Sequence, residues 1–182
     1  MQNSYSKEVV LDMSEKYVWY ACYGSNILKE RFMHYIKGGK CRFNDAYYNG
    51  CKDKSDPLDE RPFTIPHKLY FGMNSRKWEN DGVAFLHPEK DDSIMTLGKI
   101  YKITCDQFKD IQKQEGDSWY NKILCLGEVD GIPVKTFTHS CVVDERKPCD
   151  KYINVIMLGL KETYPKMPDE EIEQYIKRYI MP

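Results

Sequence analysis

The apolar positions of this chain fall first in a continuous run and then in a helical stripe. Residues 16–23, KYVWYACY, are rich in aromatic and other β-forming side chains, which predicts a buried strand. Residues 27–37, ILKERFMHYIK, place their apolar side chains on one side, which predicts an amphipathic helix. Gly38 and Gly39 come next, and we expect them to end that helix. Only the turn 23–26, Tyr-Gly-Ser-Asn, connects the predicted strand to the predicted helix.

The apolar positions of residues 38–67 show no helical or strand periodicity. This segment mixes glycine, proline, charged residues and aromatics. A loop of that length is uncommon in a small domain and tends to be functional or mobile. Its aromatic side chains argue against plain disorder. We therefore expect a long loop here, acting as a lid or as a loop that determines specificity.

Most of the remaining pattern is typical of strands. Five further segments have strand character: 68–74, 82–87, 94–103, 120–129 and 132–139. The last two flank Asp130-Gly131, which is a strong signal for a hairpin turn. Three segments have helical character: about 105–114, 152–164 and 168–180. The first of these follows Thr104 and Gln107, whose spacing matches a capping box.

The order of these elements indicates an α+β fold. Strands outnumber helices in the middle of the chain and do not alternate regularly with them. This favours a mainly antiparallel or mixed sheet, open or closed, over a doubly wound parallel sheet. The 182 residues, 41% of them hydrophobic, fit one compact domain with a full core. We expect a single domain over residues 1–182, in which 1–15 form a loose N-terminal segment.

Net charge and hydropathy argue against nucleic acid and a membrane as partners of this protein. The formal net charge is −1, from 27 basic and 28 acidic residues, so the basic excess typical of nucleic-acid binders is absent from the sequence. No run approaches the 18 apolar residues that a membrane span needs. The polar N-terminus lacks the apolar centre of a signal peptide. We expect a cytoplasmic protein; its oligomeric state, a homodimer included, stays open.

The seven cysteines do not form a recognisable framework. Their number is odd, their spacing is irregular, and no Cys-x-x-Cys occurs. His139, Cys141 and Cys149 come nearest to a metal-binding set, but zinc frameworks require paired ligands at short fixed spacing. We expect free thiols in a reducing compartment, several of them packed as small apolar residues, and no metal.

The turn 23–26 is the first candidate site. Glycine at position 24 permits an unusual backbone angle, and Ser25 or Asn26 can cap the next helix. The first amides of a helix have no partner inside it, so they can bind an anion or stabilise charge on a reacting carbonyl. A simple capped turn with no ligand would explain the same residues.

Glu115 is the second candidate. We expect it at the C-terminal end of the predicted helix 105–114, where the helix dipole disfavours a carboxylate. Partial burial would raise its pKa further, which suits a group that both takes and gives a proton near neutral pH. An exposed glutamate is the simpler alternative. Two nucleophiles have weaker support, since Cys22 lies in an apolar strand and Ser25 lacks the Gly-x-Ser-x-Gly elbow.

Five segments in order carry a resemblance to a known family. They are YACYGSNILKERF, DGVAFLH, LGKIYKI, QKQEG and KYINVIMLGLKE. Together they resemble the γ-glutamylcyclotransferase-like family, from about residue 17 to the last helix. The resemblance implies a small mixed β-barrel flanked by helices. It also implies that a γ-glutamyl group closes on itself to 5-oxoproline and releases an amine or amino acid, with no cofactor.

The resemblance also implies roles for particular residues. Glu115 would be the general acid/base, and Tyr120 would be a pocket residue. The turn would hold the γ-glutamyl group, largely through backbone amides, with the residues Tyr23, Gly24, Ser25 and Asn26. Two alternatives stay open. One is a module that binds a carboxylate ligand without turnover; the other is a pathway-specific cyclotransferase whose segment 38–67 shapes a pocket for a bulkier leaving group.

Overall fold

The computed structural model describes residues 16–180, so the expected loose segment 1–15 lies outside the described residues. The strands of this part are β1 Tyr17–Cys22, β2 Gly39–Lys40, β3 Tyr47–Tyr48, β4 Asp59–Ile65, β5 Leu69–Ser75, β6 Asp81–Leu86, β7 Thr96–Thr104, β8 Lys122–Val129 and β9 Ile132–Thr138. The α-helices are α1 Lys29–Lys37, α2 Cys105–Glu115, α3 Asp150–Thr163 and α4 Asp169–Ile180.

The main sheet has five strands in the order β4-β7-β1-β9-β8. Its central strand β1 pairs antiparallel with β7 and parallel with β9, and the other pairs in this sheet are antiparallel. Two ribbons, β2-β3 and β5-β6, lie outside this sheet. The α+β class and the mixed sheet are confirmed. Among residues 16–180 the main sheet is open, so the closed form of the barrel implied by the resemblance is not seen.

Local signals correctly place several element ends. Thr104 and Gln107 form the predicted capping box, in which the Gln107 amide donates to Thr104 Oγ1 at 3.1 Å. Helix α1 ends at Gly38, whose φ of 82° is in the left-handed region that glycine tolerates. Asp130 and Gly131, at φ 53° and 71°, form the predicted turn between β8 and β9.

The prediction of one long loop over residues 38–67 was wrong. The segment contains the β2-β3 ribbon and the seven-residue strand β4, which pairs with β7. Its sequence DERPFTI lacks strand periodicity because β4 is an edge strand of the main sheet. Charged residues and a proline such as Pro62 are tolerated at an edge, since one side of the strand makes no ladder hydrogen bonds.

The core lies on both sides of β1. Five of its six residues are buried, as the sequence indicates. Phe32 of α1 stacks on Tyr101 of β7, with ring centroids 4.2 Å apart. Tyr20 of β1 stacks on Phe137 of β9 at 5.0 Å. This packing fixes the end of β1, and therefore the turn 23–26, against the rest of the sheet.

Candidate active site

The turn after β1 differs from the expected capped helix start. Residues Ser25–Ile27 form a single 3-10 turn, and α1 begins only at Lys29. The residues at the N-cap positions are Gly24 and Leu28, and neither start has a side-chain capping hydrogen bond. The prediction that Ser25 or Asn26 caps the helix was therefore wrong. The side chain of Asn26 makes a different contact.

Close packing requires glycine at position 24. Its φ of −114° and ψ of −142° lie outside the helical and extended regions, in agreement with the unusual backbone angle expected from the sequence. A Cβ at this position would lie 2.8 Å from Tyr152 Oη and 2.9 Å from Ala84 Cβ. Both distances are too short for ordinary contact. The absence of a side chain allows the turn to lie directly against α3 and β6.

Asn26 and Glu115 join the two predicted halves of the site. Asn26 Nδ2 donates to Glu115 Oε1 at 2.9 Å, across 89 positions of sequence. Glu115 is the last residue of α2, as the sequence predicts. Together with other residues, the six predicted site residues line one cavity of about 560 Å³: Tyr23, Gly24, Ser25, Asn26, Glu115 and Tyr120. The structure thus brings all of them to one place.

The pKa of Glu115 is raised above its ordinary value. Burial is the largest cause, because it disfavours the charged form. The guanidinium of Arg31, the hydroxyl of Tyr35, the ammonium of Lys77 and the amide of Asn26 each oppose this effect. The direction agrees with the expectation from the sequence. A carboxyl whose pKa is subject to these opposing effects can change protonation state during a reaction near neutral pH.

This raised pKa should make stability depend on pH with a definite sign. Between the ordinary pKa of a glutamate, about 4.3, and the raised folded value, the folded state holds a proton that the unfolded state has lost. The contribution of Glu115 to the free energy of unfolding is therefore present at low pH and is lost as pH rises. We expect the stability of the wild type relative to Glu115→Gln to fall as pH rises from about 4.3 through the folded pKa. Urea denaturation of both proteins at a series of increasing pH values measures this difference; a difference that stays constant with pH would contradict the prediction.

Three tyrosine hydroxyls near the turn are bound to backbone groups. Tyr23 donates to the carbonyl of Phe137 at 2.7 Å, and Tyr120 donates to the carbonyl of Ala84 at 3.0 Å. Tyr152 accepts from the amide of Ala84 at 3.1 Å. These side chains form walls of the cavity. Tyr120, which the resemblance implies as a pocket residue, lines the cavity and stacks on Phe85, with ring centroids 4.9 Å apart.

Arg31 is a cavity residue whose importance the sequence reasoning missed. Its side chain is only 2% exposed. Nη2 donates to Tyr48 Oη at 2.7 Å and to Tyr35 Oη at 3.3 Å. Within residues 16–180, Nε and Nη1 have no hydrogen-bond partner. The signal was available, because Arg31 stands on the apolar side of the predicted helix, where a cation is costly unless it is paired.

The connection between β5 and β6 forms another wall that the sequence did not indicate. It contains the 3-10 turn Arg76–Trp78. Trp78 is buried and packs edge-on against Tyr152, with centroids 4.8 Å apart. Lys77 Nζ lies 4.7 Å from the centre of the Tyr48 ring. With Arg31, this turn gives the cavity more positive than negative side chains, which suits an anionic ligand.

The cysteines and histidines lie mostly outside this site. All seven cysteines are free, as expected. Cys22 lines the cavity, but burial raises the pKa of its thiol well above the ordinary value, which disfavours the nucleophilic thiolate. His139 Nδ1 lies 3.4 Å from Cys141 Sγ at an exposed position. Across residues 16–180, no group of three or more His, Cys, Asp or Glu side chains is placed to hold a metal ion.

Solved structures identify the fold. The chain superposes on a γ-glutamyl cyclotransferase with a TM-score of 0.62 and 19% identity, covering 91% of this chain and 89% of that one. An uncharacterised protein from Homo sapiens gives a TM-score of 0.64 and 20% identity, over 92% and 90% of the two chains. YkqA from Bacillus subtilis gives 0.58 and 19%, over 91% and 55%. The chain therefore has the γ-glutamyl cyclotransferase fold, which confirms the resemblance at the level of the fold.

Sequence comparison adds one curated relative. No protein-family model matches the chain. Histone deacetylase 5 of Arabidopsis thaliana is 31% identical over 209 aligned positions, which cover 93% of this chain and 32% of the relative. The chain thus spans about a third of the length of this relative. Among the described residues, no helix is both long and apolar enough to cross a bilayer.

Proposed function

We propose that this protein is a cyclotransferase that converts a γ-glutamyl amino acid or γ-glutamyl amine into 5-oxoproline and the free amine. The observation that carries this proposal is the hydrogen bond of 2.9 Å between Asn26 Nδ2 and Glu115 Oε1 inside a cavity of about 560 Å³. It places a half-buried proton-transfer group next to the turn that suits a γ-glutamyl group. The fold supports the same reaction class.

In the proposed reaction the substrate supplies its own nucleophile. The α-amine attacks the γ-carbonyl carbon, a new C–N bond closes the five-membered ring, and the original amide C–N bond breaks. Glu115 as carboxylate takes a proton from the α-ammonium group and then gives one to the leaving nitrogen. No water is consumed and no electron changes hands. Because the attack is intramolecular, a cavity that folds the γ-glutamyl group back on itself accelerates the reaction mainly through proximity.

The charges around the cavity support an anionic substrate. Every γ-glutamyl compound with a free α-carboxylate carries at least one negative charge near the reacting amine. The turn 23–26 and the cations Arg31, Arg76 and Lys77 line the cavity, and the cations would attract that charge. Asn26 Oδ1 is buried in the turn and has no hydrogen-bond partner among residues 16–180, so it is an acceptor suited to the α-ammonium group.

The leaving group is proposed only as an amine or amino acid. The cavity volume lies within the usual range of small-molecule sites, roughly 300–1,000 Å³. The connection between β5 and β6 forms a wall of the cavity outside the turn 23–26. We expect the leaving group of the substrate to contact this wall. Seven free cysteines support a reducing compartment such as the cytoplasm for this reaction.

Product analysis on a panel of substrates tests this function. The purified protein is incubated with γ-glutamyl-alanine, other γ-glutamyl amino acids and γ-glutamyl amines in water enriched in ¹⁸O. We expect 5-oxoproline and the free amine in equal amounts, with no ¹⁸O in either. The matched control is N-acetyl-γ-glutamyl-alanine, whose blocked amine cannot attack. Labelled glutamate would indicate hydrolysis instead. A raised melting temperature with no product from any substrate would indicate a binding module.

A further inference from the structure

The hydroxyl of Tyr35 has a hydrogen-bond direction that its neighbours determine. Arginine can only donate, so the contact of 3.3 Å between Arg31 Nη2 and Tyr35 Oη makes the tyrosine oxygen the acceptor. The hydrogen of this hydroxyl is therefore left for another partner. Glu115 lines the same cavity as Tyr35, and the hydroxyl of Tyr35 lowers the pKa of the Glu115 carboxyl, as a hydrogen-bond donor does.

Separate contacts hold Tyr35 and Glu115 side by side. Gln114 precedes Glu115 at the end of α2, and its Nε2 donates to the backbone carbonyl of Tyr35 at 2.9 Å. Its Oε1 accepts from the amide of Gly50 at 3.1 Å. The end of α2 is thereby fixed to α1 at Tyr35, and Tyr35 and Glu115 line the same cavity. The pair does not depend on the packing of Tyr35 alone.

Arg31 is in turn held in a fixed orientation. Tyr48 Oη accepts from Arg31 Nη2 at 2.7 Å and from Asn44 Nδ2 at 3.0 Å. The guanidinium lies 4.5 Å from the centre of the Tyr48 ring and 4.8 Å from that of Tyr35. Stacking and hydrogen bonding together fix this planar group. Tyr48 belongs to β3, within the segment 38–67 that the sequence pattern predicts to be a loop.

We propose that Tyr35, oriented by Arg31, is a positioning residue that donates a second hydrogen bond to Glu115 and holds its carboxylate ready to accept the substrate proton. Asn26 provides the first of these hydrogen bonds, on Oε1. This role rests on the proposed function for its catalytic meaning, since Glu115 is there the acid/base. The contact between Tyr35 and Glu115 has a consequence of its own: without the hydroxyl, the carboxylate loses a donor and should bind a proton more readily.

Other groups near Glu115 do not compete for this role. Two cations face it, Arg31 from α1 and Lys77 from the turn between β5 and β6. The remaining titratable neighbours all have a raised pKa, with burial as the largest cause: Tyr20, Cys22, Tyr23, Tyr48, Tyr120 and Tyr152. They stay neutral near pH 7. A change in the titration of Glu115 in that range should therefore report on its hydrogen bonds and on the two cations.

Tyr35→Phe tests the proposal by two independent measurements. The first is the pH profile of kcat/KM with the best γ-glutamyl substrate. We expect its acid limb to move to higher pH, with kcat/KM about tenfold lower on that side, the scale of one hydrogen bond to a charged group. The second is the titration of the Glu115 side-chain carboxyl carbon by ¹³C NMR, assigned by its loss in Glu115→Gln. This titration should move in the same direction, and it requires no turnover.

Two further variants separate this role from a general loss of packing. Tyr48→Phe removes the stronger acceptor of Arg31 but no donor to Glu115, so its profile should move less than that of Tyr35→Phe. Tyr164→Phe removes a half-buried hydroxyl that donates to the Gly98 carbonyl at 2.8 Å, outside the cavity, and should leave the profile unchanged.

The outcomes are distinguishable from those of the proposed function. A Glu115 titration and profile of Tyr35→Phe that superpose on those of the wild type would overturn the inference, as would an equal shift in Tyr48→Phe. If the wild type forms no 5-oxoproline but Tyr35→Phe alone shifts the Glu115 titration, the cyclotransferase proposal fails and the contact between Tyr35 and Glu115 stands.

Discussion

Replacing Glu115 with glutamine should lower kcat for γ-glutamyl cyclisation by about 10²–10⁴-fold, the usual contribution of a general acid/base. The substitution changes almost no volume. The amide oxygen of glutamine can still accept from Asn26 Nδ2, which in the wild type lies 2.9 Å from Glu115 Oε1. The variant loses the ability to take the proton of the α-ammonium group. Its KM should change much less than its kcat, because the cavity walls remain in place.

Initial rates of 5-oxoproline formation, with melting temperature as a check on folding, measure this effect. The matched control is Glu128→Gln, which makes the same chemical change at an exposed position of β8 and should retain wild-type rates. A folded Glu115→Gln protein that is as active as the wild type would show that Glu115 is not the acid/base. Equal losses in both variants would point to a general effect of charge.

Gly24→Ala should both destabilise the protein and remove most of its activity. The new Cβ would lie 2.8 Å from Tyr152 Oη and 2.9 Å from Ala84 Cβ, so the turn or its neighbours must shift. Overpacking of this kind typically costs about 1–3 kcal/mol of unfolding free energy. The shift would also move Asn26 relative to Glu115. A displacement of about 1 Å at a reacting centre can cost about 100-fold in rate.

A double-mutant cycle with Tyr152→Phe provides the control. The phenylalanine ring lacks the oxygen that the new Cβ would meet, so the two substitutions should cost less together than the sum of their separate effects. Urea denaturation of the four proteins gives the coupling energy, and initial rates give the effect on turnover. Additive losses would show that the contact with Tyr152 does not explain the glycine.

Much of the fold could be predicted because its signals are local. The capping residues Thr104 and Gln107, the turn Asp130-Gly131 and the terminating Gly38 each act within a few residues of where they stand. Strand β4 could not be found in this way, since an edge strand with charged residues and a proline has no apolar alternation. The open arrangement of the main sheet also depends on distant pairings that no single segment encodes.

The site was predictable where a motif carried it and not where tertiary packing did. Glu115 and the turn 23–26 were expected together from the resemblance, and the structure places them in one cavity. The side-chain contact between Asn26 and Glu115 was not expected, because the sequence favoured a capping role for Asn26. Arg31 and Trp78 reach the cavity from a helix and a strand connection whose relative placement depends on the whole fold.

The position of β1 in the sheet determines when the site can form during synthesis. This strand and its turn are made before β7 and β9, yet β1 lies between those two strands, and the Tyr23 hydroxyl donates to a carbonyl 114 residues further along. At roughly 5–20 residues per second, a ribosome needs several seconds or more to add those residues. Until then the apolar strand lacks a complete set of neighbours. A nascent chain arrested before β7 would therefore expose β1 to chaperones, and the turn 23–26 would lack the later elements against which it packs.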